Sequence, residues 1–166
     1  DVARKYGTEV HLEIENWIKN GTEPKDSRAV FAKSWIGGYV NKPHIKTLSE
    51  VIVFSQELGI AGTIDILMMN QDSNEYVLID WKTSKRIDMK SFKGKMGIKK
   101  ETKKIEDCNY NHYALQLSLY RYILETYYGI NINRQIIAHL KEDGVQTYST
   151  PYMKNEVKSM LVNTEL

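Results

Sequence analysis

Two short apolar segments that carry charged residues constrain this chain more than any other feature. Asp65 interrupts the first segment, and Asp80 and Lys82 close the second, which begins at Tyr76. Both segments are rich in β-branched or aromatic residues and flank a polar connector, so they predict the two strands of an antiparallel hairpin. The charges must therefore be accommodated within or beside a sheet.

The pleat of a strand predicts where these charges point. Side chains alternate across a strand, so Asp80 and Lys82 share one face, and Thr63, Asp65 and Leu67 share one face of the partner. If the faces meet, two carboxylates and an ammonium converge at one end of the hairpin. Buried unpaired carboxylates protonate or find a partner, and a divalent cation such as Mg²⁺ is a suitable partner. The alternative is a solvated face on which the same charges simply meet water.

The spacing of Asp65 and Asp80-Trp81-Lys82, with the two acids fifteen positions apart, resembles the signature of the PD-(D/E)XK nuclease superfamily. The strings 61–65 and 77–83 are similar to its RecB-like exonuclease branch, although Ile64 stands where the superfamily name has proline. The resemblance implies an α/β fold with a mixed central β-sheet flanked by helices, a restriction-endonuclease-like core. It also implies that Asp65, Asp80 and Lys82 are catalytic. Asp65, Asp80 and the Trp81 backbone carbonyl would hold Mg²⁺ or Mn²⁺.

Two more residues are candidate metal ligands through the same resemblance. His11 lies beside the apolar stripe of a helix predicted over residues 3–19, and the string 7–15 looks like the branch's first motif, whose histidine reaches the metal. Glu50 begins an apolar strand predicted within residues 47–56, where the family often has a site glutamate. The alternatives are a packed histidine and a solvated strand end, and Glu50 is the weaker candidate.

Five residues are predicted to contact the substrate. Gln116 and Tyr120 are one turn apart on a helix predicted over residues 109–128 and read as the Gln-x-x-x-Tyr motif of the branch, although alone the pair would indicate ordinary packing. The other three directly follow the catalytic lysine: Thr83, Ser84 and Lys85.

Charge is concentrated in one segment. Residues 85–104 hold nine basic and two acidic residues, a balance of +7, so with a total of +2 the other 146 residues sum to −5. A basic segment, expected to be a flexible loop over residues 85–108, suits binding to a phosphate backbone. The alternative is a solvated loop with no ligand.

Composition sets wider bounds. The 166 residues suit one domain over 1–166, with no apolar run near the ~18 residues that span a bilayer, so no membrane association is expected. Cys108 is the single cysteine, which excludes an internal disulfide and a four-cysteine iron–sulfur site and favours an intracellular, reducing compartment such as bacterial or viral-host cytoplasm. The chain begins at Asp1 rather than Met, so a fragment is expected. Without a phosphate-binding loop, a helicase or recombination partner would lie on another chain or in missing sequence.

The remaining pattern predicts elements without chemistry. The sequence indicates a helix over 27–39 that turns Val30, Phe31, Ser34 and Trp35 inward, a strand over 134–140 with a structural His139, and a last helix capped by Ser149 or Thr150 with Pro151 at its first position.

The function predicted from these features is metal-dependent hydrolysis of DNA phosphodiester bonds, as an exonuclease on single-stranded or end-containing DNA. The alternatives are a non-catalytic nucleic-acid-binding module that retains the fold and an endonuclease that acts on RNA.

Overall fold

A mixed five-stranded sheet carries helices on both faces, in the chain order that the sequence pattern predicts. The computed structural model describes residues 2–88 and 109–164. Its helices are α1 (Val2–Asn20), α2 (Ser27–Val40), α3 (Asn109–Tyr127) and α4 (Lys154–Thr164). Its strands are β1 (Ile45–Ser55), β2 (Ile60–Asn70), β3 (Glu75–Lys82), β4 (Ile132–Lys141) and β5 (Gly144–Thr150). The predicted α/β class is confirmed.

The strands follow one another across the sheet in the order β1-β2-β3-β4-β5. Only β3 and β4 run parallel, and the other neighbours are antiparallel. Parallel neighbours need a crossover connection, and α3 lies in the one that joins β3 to β4. The strand that carries Asp80 and Lys82 is therefore central and has a helical layer on either side.

Each face of the sheet has its own core. On one face α1 and α2 pack against alternate residues of the strands, with Val10, Ile14, Ile36, Ile66, Ile79 and Trp81 among the buried members. On the other face α3 packs against the intervening residues, with Val53, Ile64, Leu78, Leu117, Ile123 and Ile137 among them. Because β3 is covered on both faces, charged groups at its end lie beside the core rather than in open solvent.

Strands β1 and β2 kink together, and this kink was not predicted. Ile64 packs in the α3 core while Ile66 packs in the α1 and α2 core, although residues two apart share a face in a regular strand. Opposite this point Glu50 has a φ of 51°, a left-handed conformation that is uncommon outside glycine. The prediction that Thr63 and Leu67 share one face is therefore wrong, because the kink between them exchanges the faces.

Two further predictions are wrong wholly or in part, for reasons of packing. Helix α2 buries its small residues Ala29 and Ala32 together with Ile36, because the alanines allow close approach to neighbouring elements, while Val30 is 40% exposed. Of the predicted inner face, Trp35 does pack against the core beneath α1 and α2. Helix α4 begins at Lys154, beyond the predicted cap, because β5 continues to Thr150. The Gln135 amide donates to Thr150 Oγ1 at 3.1 Å, so that hydroxyl serves the sheet instead of capping a helix.

Several predictions fall on residues that lie outside the described ranges. These are Cys108 and most of the basic segment, with Lys90, Lys93, Lys95, Lys99, Lys100, Lys103 and Lys104. Within the two described ranges, none of the helices is both long and apolar enough to cross a bilayer.

Candidate active site

Three carboxylates come level with one another across three adjacent strands. The ladder between β2 and β3 ends at the pair Ile66–Ile79, so the next residues outward, Asp65 and Asp80, face each other across the gap. On the other side of β2 the same register sets Glu50 opposite Asp65, at the kink where the ladder omits a pair. The predicted meeting of Asp65 and Asp80 is what the register produces.

Asp65 occupies the centre of this acidic row. Its side chain is buried, with 8% of the residue exposed, and its Oδ2 accepts a hydrogen bond of 2.8 Å from the backbone N–H of Trp81. Burial, and next the neighbouring Asp80 carboxylate, raise the pKa of Asp65 well above its usual value of 3.8. Ionisation of Asp65 is therefore unfavourable unless a cation neutralises its charge.

His11 reaches the row from α1. Its Nε2 lies 3.0 Å from the Trp81 carbonyl oxygen, and because a carbonyl only accepts, this geometry assigns the ring hydrogen to Nε2. The lone pair is then on Nδ1, which lies 3.7 Å from Asp65 Oδ1. Burial lowers the pKa of His11 despite the opposing effect of Asp80, so the ring favours its neutral form. Two electron-pair donors thus face each other, an arrangement that suits a shared cation.

Glu50 completes a set of donors that fits a divalent metal ion. One ligand atom each from His11, Glu50 and Asp65 lies within 4.8 Å of the others. Burial, and next Glu15, raise the pKa of Glu50, which is consistent with crowded negative charge. One imidazole nitrogen and two carboxylate oxygens are acceptable to Mg²⁺ and better suited to Mn²⁺. Glu50, which the sequence ranked as the weaker candidate ligand, therefore belongs to this three-residue cluster.

Asp80 lies outside that three-residue cluster and pairs instead with Lys82. The Lys82 Nζ lies 3.0 Å from Asp80 Oδ2, an ion pair, yet this buried oxygen has no partner with hydrogen-bond geometry in the described chain. Burial lowers the pKa of Lys82, but Asp80, together with Tyr113 and Asp65, raises it, and the net shift is upward. The Lys82 side chain is therefore an ammonium at neutral pH. Asp80 Oδ2 can still accept a hydrogen bond.

Tyr113 is a site residue that sequence reasoning assigned only to the core. Its ring centre lies 4.2 Å from Lys82 Nζ, a cation–π contact. Tyr113 lies one helical turn before Gln116, so the spacing could have revealed that both point at the same place.

Gln116 and Tyr120 lie together where the resemblance expects them. Gln116 Nε2 donates a hydrogen bond of 3.1 Å to the Tyr120 hydroxyl, which leaves the phenolic hydrogen available for an acceptor. The Tyr120 ring crosses to β2 and packs over Gly62, where any Cβ would overlap it. Burial, and next the charge of Asp80, raise the pKa of Tyr120, so it stays a neutral donor beside the acids.

The three residues after Lys82 do not all line the same cleft. Thr83 and Ser84 line a cleft of about 400 Å³ with His11 and Lys82, whereas Lys85 is absent from that lining and faces a second surface pocket. The Ser84 carbonyl accepts a hydrogen bond of 2.6 Å from His139 Nε2, which gives His139 a structural contact. The roles in substrate binding remain predictions, and the geometry places Lys85 furthest from the acidic row's cleft.

Comparison with known proteins supports the fold and leaves the family open. No family model and no curated protein matches the chain. A solved structure described as a "Putative exonuclease" from Eubacterium rectale matches 96% of this chain with a TM-score of 0.50 and 15% identity. A second one, SSO0001, matches 81% with a TM-score of 0.40 and 16% identity. The chain covers 65% of the first protein and 56% of the second. At this identity the first likeness shows a shared fold and nothing finer.

Proposed function

We propose that this chain is a metal-dependent nuclease of the RecB-like type that hydrolyses phosphodiester bonds of DNA, acting as an exonuclease on single-stranded or end-containing substrates. The observation that carries the proposal is the row of Glu50, Asp65 and Asp80, which has His11 on one side and the Lys82 ammonium on the other. The described fold neighbour from Eubacterium rectale supports the same class of reaction.

His11, Glu50 and Asp65 are the residues that would hold the ion, with Asp80 supplying a carboxylate oxygen from the facing strand. When bound, a divalent ion supplies Lewis acidity toward the scissile phosphate and acidifies a water molecule. The Trp81 backbone fixes two of these ligands, because its N–H binds Asp65 and its carbonyl binds His11. This backbone contact sets which imidazole nitrogen faces the ion, and the carbonyl's own role as a ligand stays a prediction.

Lys82 acts as a donor in this proposal. Since Asp80 raises its pKa, the ammonium has hydrogens to give and no lone pair with which to take a proton. It therefore positions the attacking water or phosphate and stabilises the charge that develops on the phosphate oxygens. Tyr113 and Asp80 hold it from two directions. Tyr120 offers a further neutral hydrogen to the strand.

Digestion of end-labelled linear and circular single-stranded DNA with Mn²⁺ or Mg²⁺ tests the proposal. We expect wild-type protein to degrade the linear form and spare the circular form. Lys82→Ala should abolish cleavage and leave metal-free DNA binding nearly intact. The matched control is Lys158→Ala, which removes an exposed lysine from α4. Cleavage retained by Lys82→Ala would contradict the role given to this residue.

The alternatives predict different outcomes of the same experiment. A non-catalytic binding module would cleave nothing, and calorimetry would find no Mn²⁺ binding or binding unaffected by Asp80→Asn. Cleavage of RNA in preference to DNA of equal sequence would indicate the RNA-directed endonuclease, with the same site chemistry.

A further inference from the structure

One face of α1 forms a wall of the cleft beside the acidic row. The cleft is lined from α1 by Ala3, Arg4, Gly7, Thr8 and His11, and from the other side by residues 81–84 and Tyr113. Residues four and seven apart lie on one side of a helix, so Arg4, Thr8 and His11 follow each other along this wall. The cleft therefore continues past the metal ligand toward the start of α1.

The position of this wall is fixed by a close contact. A Cβ at Gly7 would come within 2.9 Å of Thr83 Oγ1, so any larger residue would force this side chain or α1 to shift. Because Thr83 directly follows Lys82, the contact ties the α1 wall to the catalytic strand. The backbone at Arg4 is thus held at a fixed position relative to the site.

Arg4 is the cation at the far end of the wall. It lies seven residues before His11, about 10.5 Å along the helix axis, which corresponds to roughly three phosphate steps along a B-form strand and fewer in an extended one. Its side chain is exposed, and neither an ion pair nor a hydrogen bond engages its guanidinium within residues 2–88 and 109–164. Arg4 and Lys82 line this cleft together with His11, which lies 3.7 Å from Asp65 of the acidic row.

We propose that Arg4 binds a phosphate of the substrate strand about one to three steps away from the scissile one, so that the strand runs along α1 through the cleft. The inference rests on the proposed nuclease function and extends it with a binding residue and a path. A guanidinium suits this role because it stays charged and donates two parallel hydrogen bonds to phosphate oxygens. Metal ligands at one end and an unpaired cation at the other then match a chain of regularly spaced anions.

Arg4→Gln tests the contact, with Lys5→Gln as the matched control, since it removes the same charge from the neighbouring exposed residue, which does not line the cleft. Binding of a labelled single-stranded oligonucleotide is measured in chelator over a range of salt concentrations. We expect Arg4→Gln to weaken binding about tenfold at low salt and to reduce the salt slope by about 0.7. Arg4→Lys should restore most of both effects, and Lys5→Gln should change neither by a comparable amount.

Hydrolysis of bis(p-nitrophenyl) phosphate with Mn²⁺ separates a strand contact from damage to the site. This diester has no neighbouring phosphate, so Arg4→Gln should hydrolyse it at the wild-type rate while KM for DNA rises. Equal losses on both substrates, or unchanged DNA binding, would overturn the inference. If wild-type protein binds DNA without cleaving it, the proposed nuclease function fails, while a loss of binding specific to Arg4→Gln would still establish the contact.

Discussion

Asp65→Asn should stabilise the metal-free protein and abolish its response to metal. In chelator at pH 8, neutralising Asp65 removes the cost of burying its charge and its repulsion with Asp80 and with Glu50, whose ligand atom lies within 4.8 Å. At that separation two unit charges repel by about 1 kcal/mol in bulk water and about 3.5 kcal/mol at an effective dielectric constant of 20. The amide oxygen can still accept the Trp81 hydrogen bond, so little is lost in exchange.

The expected gain in unfolding free energy is about 1–3 kcal/mol, since Glu50 is partly solvated. For a domain of this size that corresponds to an increase in Tm of roughly 2–12 °C. Thermal unfolding followed by circular dichroism measures it. The control is Asp72→Asn, which neutralises an exposed acid in the turn of the same hairpin and should leave Tm within about 2 °C of the wild type.

Metal should reverse the order of the Tm values, so that the wild type becomes more stable than Asp65→Asn. Mn²⁺ at 100 times its Kd stabilises a binding protein by about 2.7 kcal/mol, or roughly 5–11 °C here. Wild-type Tm should rise by that amount, while Asp65→Asn should barely respond. A lower Tm of Asp65→Asn in chelator, or equal Mn²⁺ stabilisation of both proteins, would refute the account of this row as a costly preformed cation site.

Three further outcomes follow from the site. Because the pKa of Asp65 is raised, Asp65 holds its proton more tightly in the native protein than in the unfolded protein. Without metal, its contribution to stability is therefore full below pH ~4 and is lost as the pH rises through the shifted pKa, a decline that chemical unfolding in chelator across pH should show. Calorimetry should show that Mn²⁺ affinity falls as the pH drops through the same range. Gly62→Ala should cost about 1–3 kcal/mol in denaturant unfolding because its Cβ overlaps the Tyr120 ring, and Tyr120→Leu should be less harmful in that background than in the wild type if the overlap is the cause. Tyr113→Leu should lower kcat for DNA several-fold by loosening Lys82 while Tyr113→Phe retains the ring and most of the rate, and equal loss in both variants would assign the effect to the hydroxyl instead.

The parts of the site that follow from local pattern were readable from the sequence. Asp65 and Asp80 meet because two short strands joined by a tight connector can pair in few registers, and the apolar alternation selects one. Gln116 and Tyr120 meet because four residues make one helical turn. In both cases the relation spans a single element or a single hairpin, where geometry leaves little choice.

The parts that depend on packing between distant elements were not readable. The left-handed φ of Glu50 has no signal in its own residue type, so the kink that moves its carboxylate next to Asp65 appears only in the folded sheet. The buried face of α2 includes two alanines, Ala29 and Ala32, because of what it packs against, whereas hydrophobicity alone favoured Val30 and Phe31. Tyr113 likewise gains its role from Lys82, which comes from another element.

The packing of Trp81 compensates for the cost of placing three carboxylates within the sheet. Its ring packs at 5.7 Å from the Trp35 ring within the α1 and α2 core, so the strand between Asp80 and Lys82 is anchored by one of the largest buried side chains. From that anchored position its N–H restrains Asp65 and its carbonyl restrains His11. Burial of the indole stabilises the same backbone that holds the repelling ligands in place, so the ligands are preorganised before any ion arrives. Substitution of Trp81 by a small residue should therefore reduce metal affinity as well as stability, although its side chain is buried in the core.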